Sequence, residues 1–308
     1  LGGHSLMATR VVSLIRQRLG AELPMRTLFE TTTLSELAHI IEGGNAGGGG
    51  FAPVLALATR GSRPPLHCFH PGMGLSHCYA VLPRTLGPDQ PVYAYQAARD
   101  RPFACLADMA TAYVERLKKL QPEGPYRLFG WSFGGQVAHE IACQLQREGA
   151  VVELLALADS YARSGALLTG DDALRRLLNA LARNPNSDEA RELVAMLTRD
   201  YGLPAGLQPH EIADIAVITQ RNIDLSCDEP HVFAGDIHYI AAVRDDPDPA
   251  FRLQGWRPYA TGDQILYTVE AGHHDLFSAA SADAVGRRLD LALGAVQAAS
   301  AARPLGTE

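Results

Sequence analysis

The sequence predicts two units of different class: a short all-α block, then a larger α/β unit whose strands form a parallel sheet. Three observations predict it. From residue 53 to about residue 300, short apolar runs alternate with amphipathic helical stretches, the pattern of strands joined by helical crossovers. A run of small residues, Gly43-Gly44-Asn45-Ala46-Gly47-Gly48-Gly49-Gly50, divides this region from the block before it. It has too little side chain to offset the entropy of ordering and reads as a flexible tether. Finally, Gly130-Trp131-Ser132-Phe133-Gly134 lies where a predicted strand passes directly into a predicted helix. The expected organisation is therefore an α-helical segment at 1–42, a linker at 43–52 and an α/β domain at 53–300.

Each element has its own justification. Ser5 is placed to cap a helix whose one side carries Leu6, Val11, Val12, Ile15 and Leu19, with Arg10, Gln17 and Arg18 opposite. Thr33 and Glu36 form a capping box for a last short helix. Past the tether, Leu66–Phe69 and Pro91–Tyr95 read as strands, and Leu106–Leu120 as a helix with Met109, Tyr113 and Leu117 inward. Tyr126–Phe129 is a buried strand, and Gln136–Arg147 a helix with Val137, Ile141 and Leu145 on one face. Val151–Ala158 is apolar except for Glu153, as expected of a strand covered on both faces. Gly235–Val243 and Gln264–Val269 supply two more strands, and Ala282–Val296 a closing helix. Between about 160 and 230 the alternation breaks into helical patterns: Leu174, Leu177, Leu178 and Leu181, then Leu193, Val194 and Leu197, then Ile212, Ile215 and Ile218. An insertion there is either an extra helical layer or a lid over a site at the strand C-termini, and its position favours the lid.

Composition limits the function classes. The 308 residues carry 47% hydrophobic side chains and a formal net charge of -7, which argues against a nucleic-acid-binding surface. Cys68, Cys78, Cys105, Cys143 and Cys227 are scattered, with no Cys-x-x-Cys; a reduced protein without disulfides or a metal site is expected, Cys68 and Cys143 being buried. No apolar run is long enough to span a membrane and no signal peptide is read. A cytoplasmic protein is the expectation.

The chemistry concentrates in Gly-x-Ser-x-Gly. A serine on a tight strand-to-helix turn has strained backbone angles and an exposed hydroxyl, and the helix start aims free amides at the oxygen that becomes negative during acyl transfer. The element order fits the α/β-hydrolase fold, in which nucleophile, acid and histidine follow one another along the chain. With Ser132 as nucleophile, the histidine should follow the last strand, where Gly272-His273-His274-Asp275 stands. Two adjacent histidines cannot both face the serine. For the acid, Asp159 ends the strand after the nucleophile, while Asp245 and Asp246 end the next one; geometry permits either site.

Two stretches carry a family resemblance. Leu1-Gly2-Gly3-His4-Ser5-Leu6, with Leu23-Pro24, Leu28-Phe29 and Thr32-Thr33-Leu34-Ser35-Glu36-Leu37, resembles the second half of a peptidyl carrier domain of a nonribosomal peptide synthetase. In that family this serine carries 4'-phosphopantetheine, and Ser5 is the matching residue. The family's first helix would lie upstream of Leu1, so residues 1–42 are expected to be the C-terminal part of a carrier. Leu154-Leu155-Ala156-Leu157-Ala158-Asp159-Ser160 looks like the carrier-linked thioesterases, whose acid sits here, and favours Asp159. His273, directly after glycine, matches that family's catalytic histidine, leaving His274 as a lid or solvent contact. The match places the oxyanion hole at the backbone amides of Phe133 and of Gly72 in His70-Pro71-Gly72-Met73-Gly74.

The whole chain thus resembles a carrier–thioesterase didomain closing such a synthetase. Siderophore-type synthetases look nearest, on Trp256-Arg257-Pro258-Tyr259 and Glu270-Ala271-Gly272-His273. The resemblance implies upstream condensation and adenylation domains, a phosphopantetheinyl transferase as partner and a peptidyl thioester as substrate. Release would proceed through a Ser132 ester, resolved by water or by ring closure. A roomy, apolar pocket would favour ring closure and a narrow one hydrolysis. A proofreading thioesterase and a general serine esterase are the alternatives.

Overall fold

Seven short strands, β1 (Val54–Ala58), β2 (Leu66–Phe69), β3 (Val92–Tyr95), β4 (Tyr126–Trp131), β5 (Val152–Ala158), β6 (Ile237–Ala242) and β7 (Gln264–Val269), form one sheet in the order β1-β3-β2-β4-β5-β6-β7. The computed structural model describes residues 52–98, 102–163, 209–244, 248–278 and 280–302, with isolated positions 11, 14, 15, 18, 37, 183, 184, 187 and 188. The chain divides into two units, Leu1–Ala52 and Pro53–Glu308. In the first, Val11, Leu14, Ile15, Arg18 and Leu37 are helical, with Ile15 and Leu37 buried and Val11 exposed. Ser5, Thr33, Glu36 and the glycine run lie outside the described residues.

From β2 to β7 every pairing is parallel, but β1 runs antiparallel to β3 at the sheet edge. Strand-helix alternation did not signal β1. The short connection Thr59–Pro65 has no room for a helical crossover, so the chain must reverse direction between β1 and β2. The central strands β2, β4 and β6 are buried along their whole length. Glu153, the charged exception in β5, is held by the Arg127 Nε of β4 at 2.6 Å and by the Ser300 hydroxyl at 2.7 Å.

Helices cover both faces. On one face, α2 (Leu106–Leu120) and α3 (Phe133–Arg147) bury Met109, Tyr113, Leu117, Val137 and Ile141 against the sheet. On the other, α1 (Leu82–Leu86) and α6 (Ala282–Ala302) bury Leu82, Leu86, Val285, Leu289 and Leu293. The remaining described α-helices, α4 (Pro209–Leu225) and α5 (Pro249–Gln254), precede and follow β6. Of the predicted insertion, Leu174, Leu177, Leu178, Leu181, Leu193, Val194 and Leu197 lie outside the described residues; Ile212, Ile215 and Ile218 fall in α4. Strand order reverses between β2, followed by β3 on one side, and β4 on the other. Such a reversal opens a crevice at the strand C-termini where α/β folds place their sites.

Candidate active site

Ser132 follows β4 and immediately precedes α3. Its backbone lies at φ 56° and ψ -125°, a region that costs on the order of 1–3 kcal/mol for a non-glycine residue and persists only where neighbours impose it. Here the Ser132 amide donates to Ala158 of β5 at 2.9 Å, and its carbonyl accepts from Gly135 at 3.0 Å. The flanking glycines are needed for close approach. A Cβ on Gly130 would lie 1.9 Å from the Gly134 carbonyl oxygen, and one on Gly134 would lie 2.2 Å from that of Phe69. Tyr79 ties the same corner together. Its buried hydroxyl accepts from the Trp131 amide at 3.0 Å and donates to the Phe69 carbonyl at 2.7 Å, bridging β2 and β4 where they part.

The structure brings Ser132, His273 and Asp159 into one hydrogen-bonded row. His273 Nε2 lies 3.1 Å from Ser132 Oγ, and its Nδ1 lies 2.6 Å from Asp159 Oδ2. A carboxylate only accepts, so Nδ1 carries the proton and Nε2 presents its lone pair to the serine hydroxyl. The loop bearing His273 is set by Asp275, whose carboxylate accepts from the Gly272 amide at 2.5 Å and pairs with Arg244. His274 is exposed, its ring 5.0 Å from that of His273.

Asp159 is fully buried and has φ 45°. Its amide donates to Ile240 at 2.8 Å and its Oδ1 accepts from the Ala242 amide at 3.1 Å, both on β6. The next carbonyl, Ser160, accepts from Trp256 Nε1 at 3.0 Å and from the Tyr239 hydroxyl at 2.8 Å. Arg252 Nη1 pairs with Asp159 Oδ2. Burial pushes this carboxyl up; the His273 hydrogen bond and charge, the Arg252 charge and the Ala242 amide outweigh burial and hold it below the ordinary carboxylate range. Asp245 and Asp246, the other sequence candidates, lie outside the described residues.

Gly72 stands in the loop after β2, and Phe133 is the first residue of α3, where a helix amide has no intrahelical acceptor. The two segments meet: the His70 ring lies 6.0 Å from that of Phe133. His70 is fully buried between the Pro71 carbonyl, 2.9 Å from Nδ1, and the Tyr113 hydroxyl, 2.6 Å from Nε2. Burial holds its pKa down at about 4, so the ring is neutral. A carbonyl only accepts; Nδ1–H therefore donates to Pro71 and the Tyr113 hydroxyl donates to Nε2. In a trans peptide the N–H points opposite to the C=O. By gripping the Pro71 carbonyl, which also accepts from the Gly74 amide at 2.9 Å, His70 fixes the peptide plane that carries the Gly72 N–H. Asn222 of α4 fixes the following peptide, its Nδ2 donating to the Gly72 carbonyl at 2.8 Å.

Sequence reasoning missed Tyr79, Asn222 and Arg252, since nothing local in the sequence marks a residue whose partner is distant along the chain; it also missed Asp275, whose partners are the nearby Gly272 amide and Arg244. A groove of about 1050 Å³ opens at the other end of the sheet, where β4 and β5 begin, and its lining includes none of Ser132, Asp159 and His273. Among the described residues no cluster of three metal-ligating side chains occurs, and no helix is long and apolar enough to cross a membrane.

The family described as "Thioesterase domain" matches residues 64–292, and "Phosphopantetheine attachment site" matches residues 1–41. The chain is similar to a dimodular nonribosomal peptide synthase of Bacillus subtilis, 34% identical over 292 residues that take in 90% of this chain and 12% of that protein. It is also similar to malpibaldin synthetase of Mortierella alpina, 32% identical over 294 residues, 93% of this chain and 5% of that protein. The chain thus spans a small part of the length of the curated relatives it matches. Among solved structures, the NocB thioesterase domain in covalent complex with a fluorophosphonate nocardicin G analog superposes with a TM-score of 0.61. That pair is 31% identical, covering 78% of this chain and 99% of that one.

Proposed function

The chain belongs to the thioesterase domain family, with a phosphopantetheine attachment segment ahead of that domain, and on that premise we propose that Ser132, His273 and Asp159 release a peptide from a nonribosomal peptide synthetase. The observation that carries this reading is the row Ser132 Oγ–His273 Nε2–His273 Nδ1–Asp159 Oδ2, with spacings of 3.1 and 2.6 Å, mounted on a strained strand-to-helix turn. His273 takes the Ser132 proton as the hydroxyl oxygen attacks the thioester carbonyl. The amides of Phe133 and Gly72 receive the oxyanion. His273 then gives its proton to the departing thiol, leaving a peptidyl ester on Ser132. Water or a nucleophile within the peptide, deprotonated by His273, attacks that ester and frees Ser132. Asp159 stays ionised throughout; it fixes the tautomer of His273 and stabilises its imidazolium form.

Ser5 would hold 4'-phosphopantetheine through a phosphodiester at its hydroxyl. It is the hydroxyl residue of Gly2-Gly3-His4-Ser5-Leu6 in the matched segment, ahead in sequence of the helical positions Val11, Leu14, Ile15 and Arg18. That group supplies the thiol on which the peptide waits as a thioester. A carrier on the same chain favours in-line release over proofreading or general ester hydrolysis, because the glycine tether of the 43–52 linker keeps the thioester at high effective concentration. We place residues 1–42 as the carrier part and the insertion at about 160–230 as a lid. Upstream condensation and adenylation domains and a phosphopantetheinyl transferase are the proposed partners. The five unbridged cysteines suit a cytoplasmic setting.

The test is product analysis with a peptidyl thioester substrate. Wild-type protein should yield linear acid, macrocycle or both, and Ser132→Ala neither. Release by the alanine variant at the wild-type rate would overturn the assignment.

A further inference from the structure

Resting on that reading, we propose that Arg252 is a positioning residue for the acid, and that the short helix carrying it is a clamp that keeps Asp159 charged and aimed at His273. The clamp is built from the sequence upward. Asp248 caps α5 by accepting from the Ala250 amide at 3.1 Å, and Pro249 occupies the first turn. Leu253 and Trp256 are buried, seating the helix on the core cluster beside α3. From this seat two groups reach the acid segment. Trp256 Nε1 holds the Ser160 carbonyl at 3.0 Å, fixing the backbone just after the strained Asp159. Arg252 Nη1 holds the carboxylate oxygen that also receives His273. The Arg252 side chain is 13% exposed, and its guanidinium lies 4.8 Å from the Tyr161 ring centre.

Such a group works against the cost of burial. Burial favours the protonated form of Asp159, and the Arg252 charge opposes this together with the His273 hydrogen bond and charge and the Ala242 amide; a protonated Asp159 cannot order the His273 tautomer. A second grip on Oδ2, with the Ala242 amide on Oδ1, also removes the freedom of the carboxylate to rotate away. Among the described residues the ionisable groups around the pair are Tyr161 after β5, Tyr239 on β6 and His273 after β7. Tyr239 is pushed well above its ordinary value by burial and stays neutral. Arg252 is then the fixed positive charge of the site, and removing it raises the proton affinity of the Asp159–His273 pair taken together.

The experiment is the pH profile of kcat/KM of the full chain on a short acyl thioester of N-acetylcysteamine, for wild type, Arg252→Gln and Arg252→Lys. For Arg252→Gln the acid limb should move up by about one pH unit, and kcat/KM at neutral pH should fall on the order of 10-fold or more. Arg252→Lys, which keeps the charge, should hold the limb in place. In an Asp159→Asn background the Arg252→Gln change should cost far less in kcat/KM than in the wild type, because the carboxylate it positions is gone. A folded Arg252→Gln protein with a wild-type limb and kcat/KM would overturn the proposal. If that variant does not fold, a limb displaced in Arg252→Lys overturns it instead. Wild-type activity in Asp159→Asn alone would contradict the acid assignment itself, which separates failure of the reading from failure of the clamp.

Discussion

On the β2 side of Ser132 the supporting groups are a neutral imidazole, two phenols and a carboxamide: His70, Tyr79, Tyr113 and Asn222. On the β5 side they are a carboxylate, a guanidinium and an imidazole: Asp159, Arg252 and His273. Both sides are packed around one serine, and both act across long sequence separations. They differ in what they must deliver. The β2 side holds the peptide of the Gly72 amide, proposed as an oxyanion donor, which needs orientation but carries no proton that can be lost. Buried neutral donors suffice there, and burial keeps His70 from charging. The β5 side must keep a negative charge in a buried place, so it needs a counter-charge as well as orientation. The same burial that stabilises one support threatens the other, and Arg252 is the local answer.

This contrast can be broken or sharpened by substitution. The largest effect belongs to the residue between the two sides. Ser132→Ala should lower release by about four orders of magnitude or more, read as product formed per unit time from a peptidyl thioester. Next comes the charged side. Asp159→Asn should cost about 10³–10⁴-fold in kcat, because His273 is freed to take the wrong tautomer. Asp245→Asn and Asp246→Asn should leave kcat nearly intact, and the reverse ranking would move the acid to the end of β6. On the neutral side, His70→Leu should reduce kcat on the order of 10–100-fold with little change in KM, as expected when one oxyanion donor is misaimed. His70→Asn, whose amide can still reach the Pro71 carbonyl, should recover much of that loss. Equal damage from both variants would show that His70 acts only by filling space.

The smallest effect at neutral pH is one of stability. His67, His70 and His139 are buried and held at about 4, against about 6.5 in the unfolded chain. Between these values the unfolded state binds more protons, so stability is full above about pH 6.5 and falls as pH drops towards 4. At pH 5 the loss is about 2 kcal/mol per histidine. Urea midpoints at pH 7.5 and pH 5 should show it, and unchanged midpoints would mean that these rings are not buried as neutral groups.

The sheet was legible because buried strands leave uninterrupted apolar runs, as in Leu154 to Ala158, and because α2 and α3 repeat apolar residues at helical spacing. Ser132 was legible because its turn demands glycine on both sides, where close approach admits no Cβ. His273 and Asp159 needed the order of elements in addition to local pattern. What stayed illegible is what depends on meeting. β1 lacks the crossover helix that marks a parallel strand, and its half-buried residues give no clean alternation. Arg252 sits 93 residues from Asp159, on a helix too short to show a period. The partner of Glu153, Arg127 of the neighbouring strand, shows only once the strands are paired.

Ser132 as the nucleophile that takes the acyl group can be checked by treating the protein with a fluorophosphonate and mapping the adduct by peptide mass spectrometry. One stoichiometric adduct is expected on the peptide containing Gly130-Trp131-Ser132-Phe133-Gly134, slowed in Asp159→Asn and absent in Ser132→Ala. An adduct on another residue, or one that persists in Ser132→Ala, would contradict it.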